Sequence, residues 1–271
     1  MFLKAILPCL FLLAACQVPE PTSEVVEEPT WQSLFDGQSL SGWTPKIRGF
    51  AAGEDPLQTF RVRDGVIAID YSNYEGNYDE RFGHLFHDMP WTDYLLRVEY
   101  RFTGEQMPGG PGWAWRNSGL MVHGQSAESM RIDQDFPVSI EVQLLGGDGT
   151  NHRANANLCT PGTNVVMNEE LVRRHCTDSS SATNHGNDWV WIEVEVRGSQ
   201  VIRHFLNGQE VLSYQQPQLD ENDADAQALF ATSGELLLEQ GTLSLQSESH
   251  PVEFRVVEVL PLAPLPSNLT E

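Results

Sequence analysis

Residues 190–214 read VWIEVEVRGSQVIRHFLNGQEVLSY, and this stretch decides the fold. Val190, Ile192, Val194 and Val196 alternate with Trp191, Glu193, Glu195 and Arg197, the period-two pattern of a half-buried strand. Between VIRHFL and QEVLSY stands Asn207-Gly208, a dipeptide that tolerates positive φ and so favours a tight hairpin turn. The two flanking strands are therefore expected to pair antiparallel. Working outward, Leu96, Val98, Tyr100 and Phe102 alternate with Arg97, Glu99, Arg101 and Thr103, and Asp64-Gly65 separates FRVR from VIAID. No window carries a long amphipathic helix, although 168–174 is expected to make two helical turns. Many short strands joined by Gly- and Pro-rich connections predict an all-β domain, a two-sheet antiparallel β-sandwich of the jelly-roll kind.

The N-terminal end reads differently. Lys4, an apolar run over 5–13 and Ala14-Ala15 before Cys16 match a secretory signal, with its positive start, apolar core and small-residue cleavage site. The apolar run falls short of the ~20 residues that cross a bilayer. Leu13-Ala14-Ala15-Cys16 resembles the lipobox of bacterial lipoproteins. Residues 1–15 are accordingly expected to be a signal peptide and Cys16 to carry lipid, giving membrane attachment in the cell envelope. Gln17, rather than Asp, follows the cysteine, which by the same resemblance favours the outer membrane. The stretch 17–30, QVPEPTSEVVEEPT, has no apolar period and reads as a tether. The folded domain is expected over 31–262, followed by a tail at 263–271.

The formal net charge is −22, with the acidic residues scattered. Nucleic acid is thereby excluded as a partner, because phosphate binding needs clustered Lys and Arg. Residues 220–225, DENDAD, lack the glycine and distal glutamate of an EF-hand and read as a solvated acidic loop. Cys9 lies in the signal and Cys16 in the lipobox, which leaves Cys159 and Cys176. Two thiols in an oxidising compartment predict one disulfide, the alternative being a metal site with His175 and His185.

Three segments carry residues suited to chemistry. In SIEVQLL, Ile140, Val142 and Leu144 are expected to face the core, so Glu141 and Gln143 project together on the other side. There, a carboxylate can exchange protons while the amide fixes a hydroxyl. WAWRNSGLMVHG contributes Trp113, Trp115, Arg116, Asn117, Ser118 and His123, a mixture of aromatic and planar polar groups suited to sugars. QSESHPVEFR adds Gln246, Glu248, His250, Glu253 and Arg255. Singly, each of these reads equally as a polar strand face or turn.

In order along the chain, LFDGQSLSGW, NSGLMVHG, IEVQLLGG, NLCTPGTNVVM, WVWIEVEVRGSQVIRHFLNGQEV and LQSESHPVEFRVVEV resemble the 3-keto-disaccharide hydrolase domain family, related in fold to concanavalin-like glucanases and lectins. The chain departs from many relatives in having His123 where they have Arg, and Val256 after Phe254-Arg255 where they have Asn. The resemblance implies cleavage of 3-keto-disaccharides or related keto-glycosides, by hydrolysis or by elimination and hydration. Chemical logic assigns Glu141 or His123 as the base. Arg116, Arg255 or a divalent cation such as calcium would stabilise an enolate oxygen. Asn117, Ser118, Gln143, Gln246, Glu248 and His250 complete the expected sugar site. The alternative is a non-catalytic carbohydrate-binding module on the same sandwich.

Overall fold

The structure, a computed structural model, describes residues 29–265. The expected signal peptide, the lipidated Cys16 and nearly all of the tether lie outside the described residues, as does the end of the tail. Two antiparallel sheets pack face to face. One has the strand order Glu170–Val172, Thr163–Met167, Gln209–Leu219, Val201–Leu206, Val190–Arg197, Asp93–Phe102, Val252–Pro261, Val66–Ile69 and Phe60–Arg63, with Gln32–Ser33 beside Val252–Pro261. The other runs Cys176–Thr177, Asn157–Cys159, Ile140–Leu145, Asn117–Gly124, Gly241–Ser247, Gly83–Trp91 and Trp43–Ile47.

The alternation in the sequence becomes the sandwich interior. Tyr94, Leu96, Val98, Tyr100 and Phe102 are buried, and Val98 and Leu96 lie opposite Ile192 and Val194 on the neighbouring strand. The intervening charges pair on the outer face, as in Arg97 with Glu258 and Arg101 with Glu253. Both hairpin turns form as expected. Asp64 and Gly65 take φ of 51° and 78°, and Asn207 and Gly208 take 50° and 79°, the double positive φ of the turn that matches strand twist.

Two local expectations are corrected. Residues 168–174 do not form helical turns. Asn168 and Glu169 adopt φ of 51° and 65° and close a hairpin in which Val165, Val166 and Met167 pair with Val172, Leu171 and Glu170. The acidic stretch 220–225 is not loop throughout, because it starts the helix Ala224–Ser233. Asp223 caps the helix by accepting from the Ala226 N–H at 2.8 Å, and Gly234 ends it in the left-handed region. The capping carboxylate was the available signal.

A polar tie also joins the sheets. His204 Nδ1 lies 2.9 Å from the Ala156 carbonyl and Nε2 lies 2.7 Å from the Tyr214 hydroxyl. A carbonyl only accepts, so Nδ1 carries the proton and the tyrosine donates. At the sheet edge Cys159 and Cys176 are register partners and form the expected disulfide. It closes a separation of 17 residues, a loop length for which a disulfide contributes about 3 kcal/mol. The double variant Cys159→Ser/Cys176→Ser should therefore melt several degrees below the oxidised wild type in differential scanning calorimetry. An unchanged melting temperature would contradict this.

Candidate active site

The strand Ile140–Leu145 sends Ile140, Val142 and Leu144 into the core, as the alternation requires. Glu141 and Gln143 consequently share the opposite face, yet Glu141 is only 6 % exposed. That face is roofed into a cleft of about 310 Å³, lined by Trp113, Asn117, Phe136, Glu141, Gln143, Glu248 and the disulfide, among others. Strand register assembles its polar floor. Glu141 pairs with Met121 and Cys159, Gln143 with Gly119 and Asn157, and Gln246 with His84, which in turn faces Lys46.

Gly119 makes this convergence sterically feasible. A Cβ there would stand 2.8 Å from Glu141 Oε1 and 3.0 Å from Gln246 Oε1, so only a residue without a side chain lets the carboxyl and the amide share that space. Gln143 Oε1 accepts from Asn157 Nδ2 at 3.2 Å, leaving its amide N–H groups for a bound molecule.

Burial dominates the electrostatics. It pushes the Glu141 carboxyl up to about 8. Glu248, 3 % exposed, is held well above the usual carboxylate range by burial and then by the neighbouring Glu141 charge, which Arg153 partly offsets. The floor also holds unpartnered groups. Asn117 Oδ1, both amide atoms of Gln246, Glu248 Oε2 and both ring nitrogens of His84 are buried without a hydrogen-bond partner. Buried polar atoms are ordinarily satisfied, so a concentration of exceptions around one cleft marks a place for a polar ligand. His84 stays neutral, since burial drives its imidazole down to about 3.

One wall is aromatic. Trp113, 54 % exposed, stacks on Phe82 at 5.8 Å, and Phe82 packs on Phe136 at 5.0 Å. Trp113 thus offers a rigid ring to the cleft, the geometry sugar rings stack on. Its turn is pinned by Arg153, whose guanidinium donates to the carbonyls of Trp115, Gly146 and Trp113 at 2.8, 2.9 and 3.4 Å.

The remaining expected residues are distributed as follows. Ser118 is buried, and its hydroxyl donates to the Gln246 carbonyl at 2.8 Å, which fixes the floor. Arg116 bonds to Asn187 and to the Gly186 carbonyl. His250 packs against Phe102 and Trp115 beside it. His123 does not join Glu141. It bonds the Gly198 carbonyl at 3.0 Å and lines a separate cavity with Leu238 and Glu239. Alternation along Asn117–Gly124 breaks there, since His123 adopts φ of 52° and the neighbouring register shifts between Thr242 and Ser244. Arg255 lies on the outer face of the other sheet, paired with Glu99 and placed over Trp189 at 4.4 Å. Glu253 faces that same side, paired with Arg63 and Arg101.

The alternative metal site also dissolves. The ligand atoms of Cys159, His175 and Cys176 lie within 4.8 Å of one another, but the sulfurs are bonded to each other. His185 is engaged with the Gly149 N–H. Lys46, His84, Phe136 and Arg153 escaped the sequence reading. His84 and Phe86 alternate with Leu85 and His87, but nothing local shows that this strand joins Gly241–Ser247.

Solved structures share the architecture. A protein from Parabacteroides distasonis described as a candidate glycosyl hydrolase superposes with a TM-score of 0.51 at 18% identity, over 86% of this chain and 94% of that one. A second from the same organism, with a like description, gives 0.51 at 14% identity, over 86% and 100%. A Bacillus licheniformis β-glucanase aligns at 9% identity over 88% and 100%, with a TM-score of 0.46. No curated protein matches the chain. Residues 30–260 match the 3-keto-alpha-glucoside-1,2-lyase-like domain, and the chain belongs to that family.

Proposed function

We propose that the cleft cleaves the glycosidic bond of a 3-keto-disaccharide or related keto-glycoside. The carrying observation is the pair of buried carboxyls: burial raises Glu141 to about 8, and burial together with the Glu141 charge raises Glu248 well above the usual carboxylate range. Such groups exchange protons near pH 7, whereas the nucleophile of a retaining glycosidase works as an ionised carboxylate.

A ketone at C3 acidifies the hydrogen on C2. Glu141 as carboxylate takes that proton, and the C2–H electron pair passes into an enolate. The pair then forms the C1–C2 double bond as the C1–O bond breaks. The departing oxygen takes its proton from Glu248, whose carboxyl burial and the neighbouring Glu141 charge hold well above the usual carboxylate range. Addition of water returns a proton to C2 and places hydroxyl on C1, completing net hydrolysis. Gln143 supplies amide donors, and Trp113 supplies the stacking face. The stacking face also favours a second reading, sugar binding without cleavage, which turnover decides. We further infer that Cys16 carries lipid and anchors the domain in the envelope, on the lipobox resemblance. Radiolabelled palmitate should enter the wild type and not Cys16→Ser; equal labelling would remove the anchor.

The purified domain should cleave a 3-keto-disaccharide, leave the unoxidised sugar intact, and incorporate solvent deuterium at C2. Glu141→Gln should lose about 10²-fold or more in kcat, the scale of general acid–base catalysis. Gly119→Ala should lose activity as well, because the added carbon meets Glu141 Oε1. Sugar binding with no turnover of any 3-keto substrate would leave only the binding-module reading.

The pH dependence of stability gives an independent check. Glu141 has a folded value of about 8 against 4.5 in the free side chain. Over that window the folded state holds a proton the unfolded chain has released, so its contribution is present below about pH 4.5 and lost as pH rises toward 8. Glutamine carries no such proton, so Glu141→Gln should gain in melting temperature relative to wild type as pH rises from 5 to 9. A difference that does not change with pH would show that the carboxyl is not perturbed.

A further inference from the structure

We propose that the Cys159–Cys176 disulfide is a site of thiol exchange, attacked at Cys176 Sγ by an external dithiol, and that its reduction opens the flank of the cleft against which Glu141 is buried. The exchange and the opening stand on the geometry, and only their effect on turnover rests on the proposed function.

The bond stands directly beside the carboxyl. Cys159 is the register partner of both Glu141 and Cys176, so the three side chains form one row on a single sheet face, where opposed Cβ atoms are about 4.5–5.5 Å apart. Both cysteines line the cleft with Glu141. Their access differs. Cys159 is 1 % exposed, whereas Cys176 is exposed on the outermost strand of its sheet. Access helps decide which sulfur a thiolate attacks, and here it directs attack to Cys176. Cys159 then leaves as a thiolate, and a ring nitrogen of His175 lies within 4.8 Å of both sulfurs, placed to supply a proton. The second thiol of the reductant displaces Cys176 Sγ. Two electrons and two protons pass to the protein, leaving two protein thiols and one disulfide in the reductant.

Little else holds this flank. Cys176–Thr177 makes two register pairs, both with Asn157–Cys159, and beside them the His175 carbonyl accepts from the Thr160 N–H and hydroxyl at 2.9 and 3.2 Å. So short an edge strand opens locally at low cost. Two thiols cannot keep their sulfurs at bonding distance, so reduction spreads the row next to Glu141. Water then reaches a carboxyl that burial pushes up to about 8, and hydration returns it toward 4.5. The other titratable groups lining the cleft are Glu248 and His175, with Arg153 acting on Glu248; reduction removes none of them.

Dithiothreitol is the dithiol probe and glutathione the trap. Native protein should yield two titratable thiols under dithiothreitol while keeping its far-ultraviolet circular dichroism. Oxidised protein given glutathione and quenched with iodoacetamide should carry glutathione on Cys176 and the alkyl group on Cys159 in peptide mass mapping. Carbon-13 NMR of the glutamate carboxyls, with Glu141 assigned by the loss of its signal in Glu141→Gln, should show that group titrating near pH 8 in oxidised protein. After reduction, and in Cys159→Ser/Cys176→Ser, it should titrate at least one pH unit lower, a tenfold change in its ionisation ratio. The rising limb of the rate on a 3-keto-disaccharide should move to lower pH with it. Resistance to dithiothreitol short of unfolding, glutathione on Cys159, or a Glu141 titration that ignores the disulfide while the melting temperature falls overturns the exchange site and its hold on Glu141. A titration that moves as expected in a protein that cleaves no 3-keto sugar would uphold them and sink the enzymatic reading. Cleavage in a protein whose Glu141 titration does not move would do the reverse.

Discussion

The burial of one strand on both faces, Ile140–Leu145, is the constraint on which the site depends. Ile140, Val142 and Leu144 anchor it in the sandwich interior, and the period of two then obliges Glu141 to face the cleft. Keeping that carboxyl protonated at pH 7, against 4.5 in the free side chain, costs on the order of 3 kcal/mol. Three apolar neighbours buried at about 1.5–3 kcal/mol each offset it. The core thus holds in place a group that alone would prefer water, and the same burial gives it a proton affinity useful near neutrality.

The cleft is shaped by devices that act on this strand from either side. Gly119 removes the side chain that would separate Glu141 from Gln246. The disulfide fixes the register partner of Glu141 to the edge strand, and Arg153 gathers the carbonyls of the turn that presents Trp113. These groups lie far apart in sequence, and each meets the floor through backbone pairing or a backbone hydrogen bond. Side-chain substitutions at the rim can therefore alter sugar contacts while leaving the carboxyl pair in place.

Much of the fold was legible because its signals are local. Alternation in 190–197 and 96–103 and the Asp64-Gly65 and Asn207-Gly208 turns each declare a strand or hairpin within ten residues. The site was legible only where it shared such a segment, as for Glu141 and Gln143. The pairing of His84 with Gln246 depends on strand order, which no window contains. His123 misled because strict alternation would place it with Gly119 and Met121, whereas a positive φ turns the chain first. Arg255 misled because closeness in sequence to Glu248 crosses from one sheet to the other. The helix after Asp223 was hidden for a different reason: of its residues only Ala226 is buried, so it lacks an apolar stripe.

A crystal structure of the Glu141→Gln domain soaked with a 3-keto-disaccharide tests the central claim most directly. The account predicts the keto sugar in the cleft, its ring against Trp113, C2 facing residue 141 and the glycosidic oxygen within hydrogen-bonding reach of Glu248. A sugar lodged instead in the cavity beside His123 or on the outer sheet near Arg255, with the Glu141 cleft empty, would contradict it.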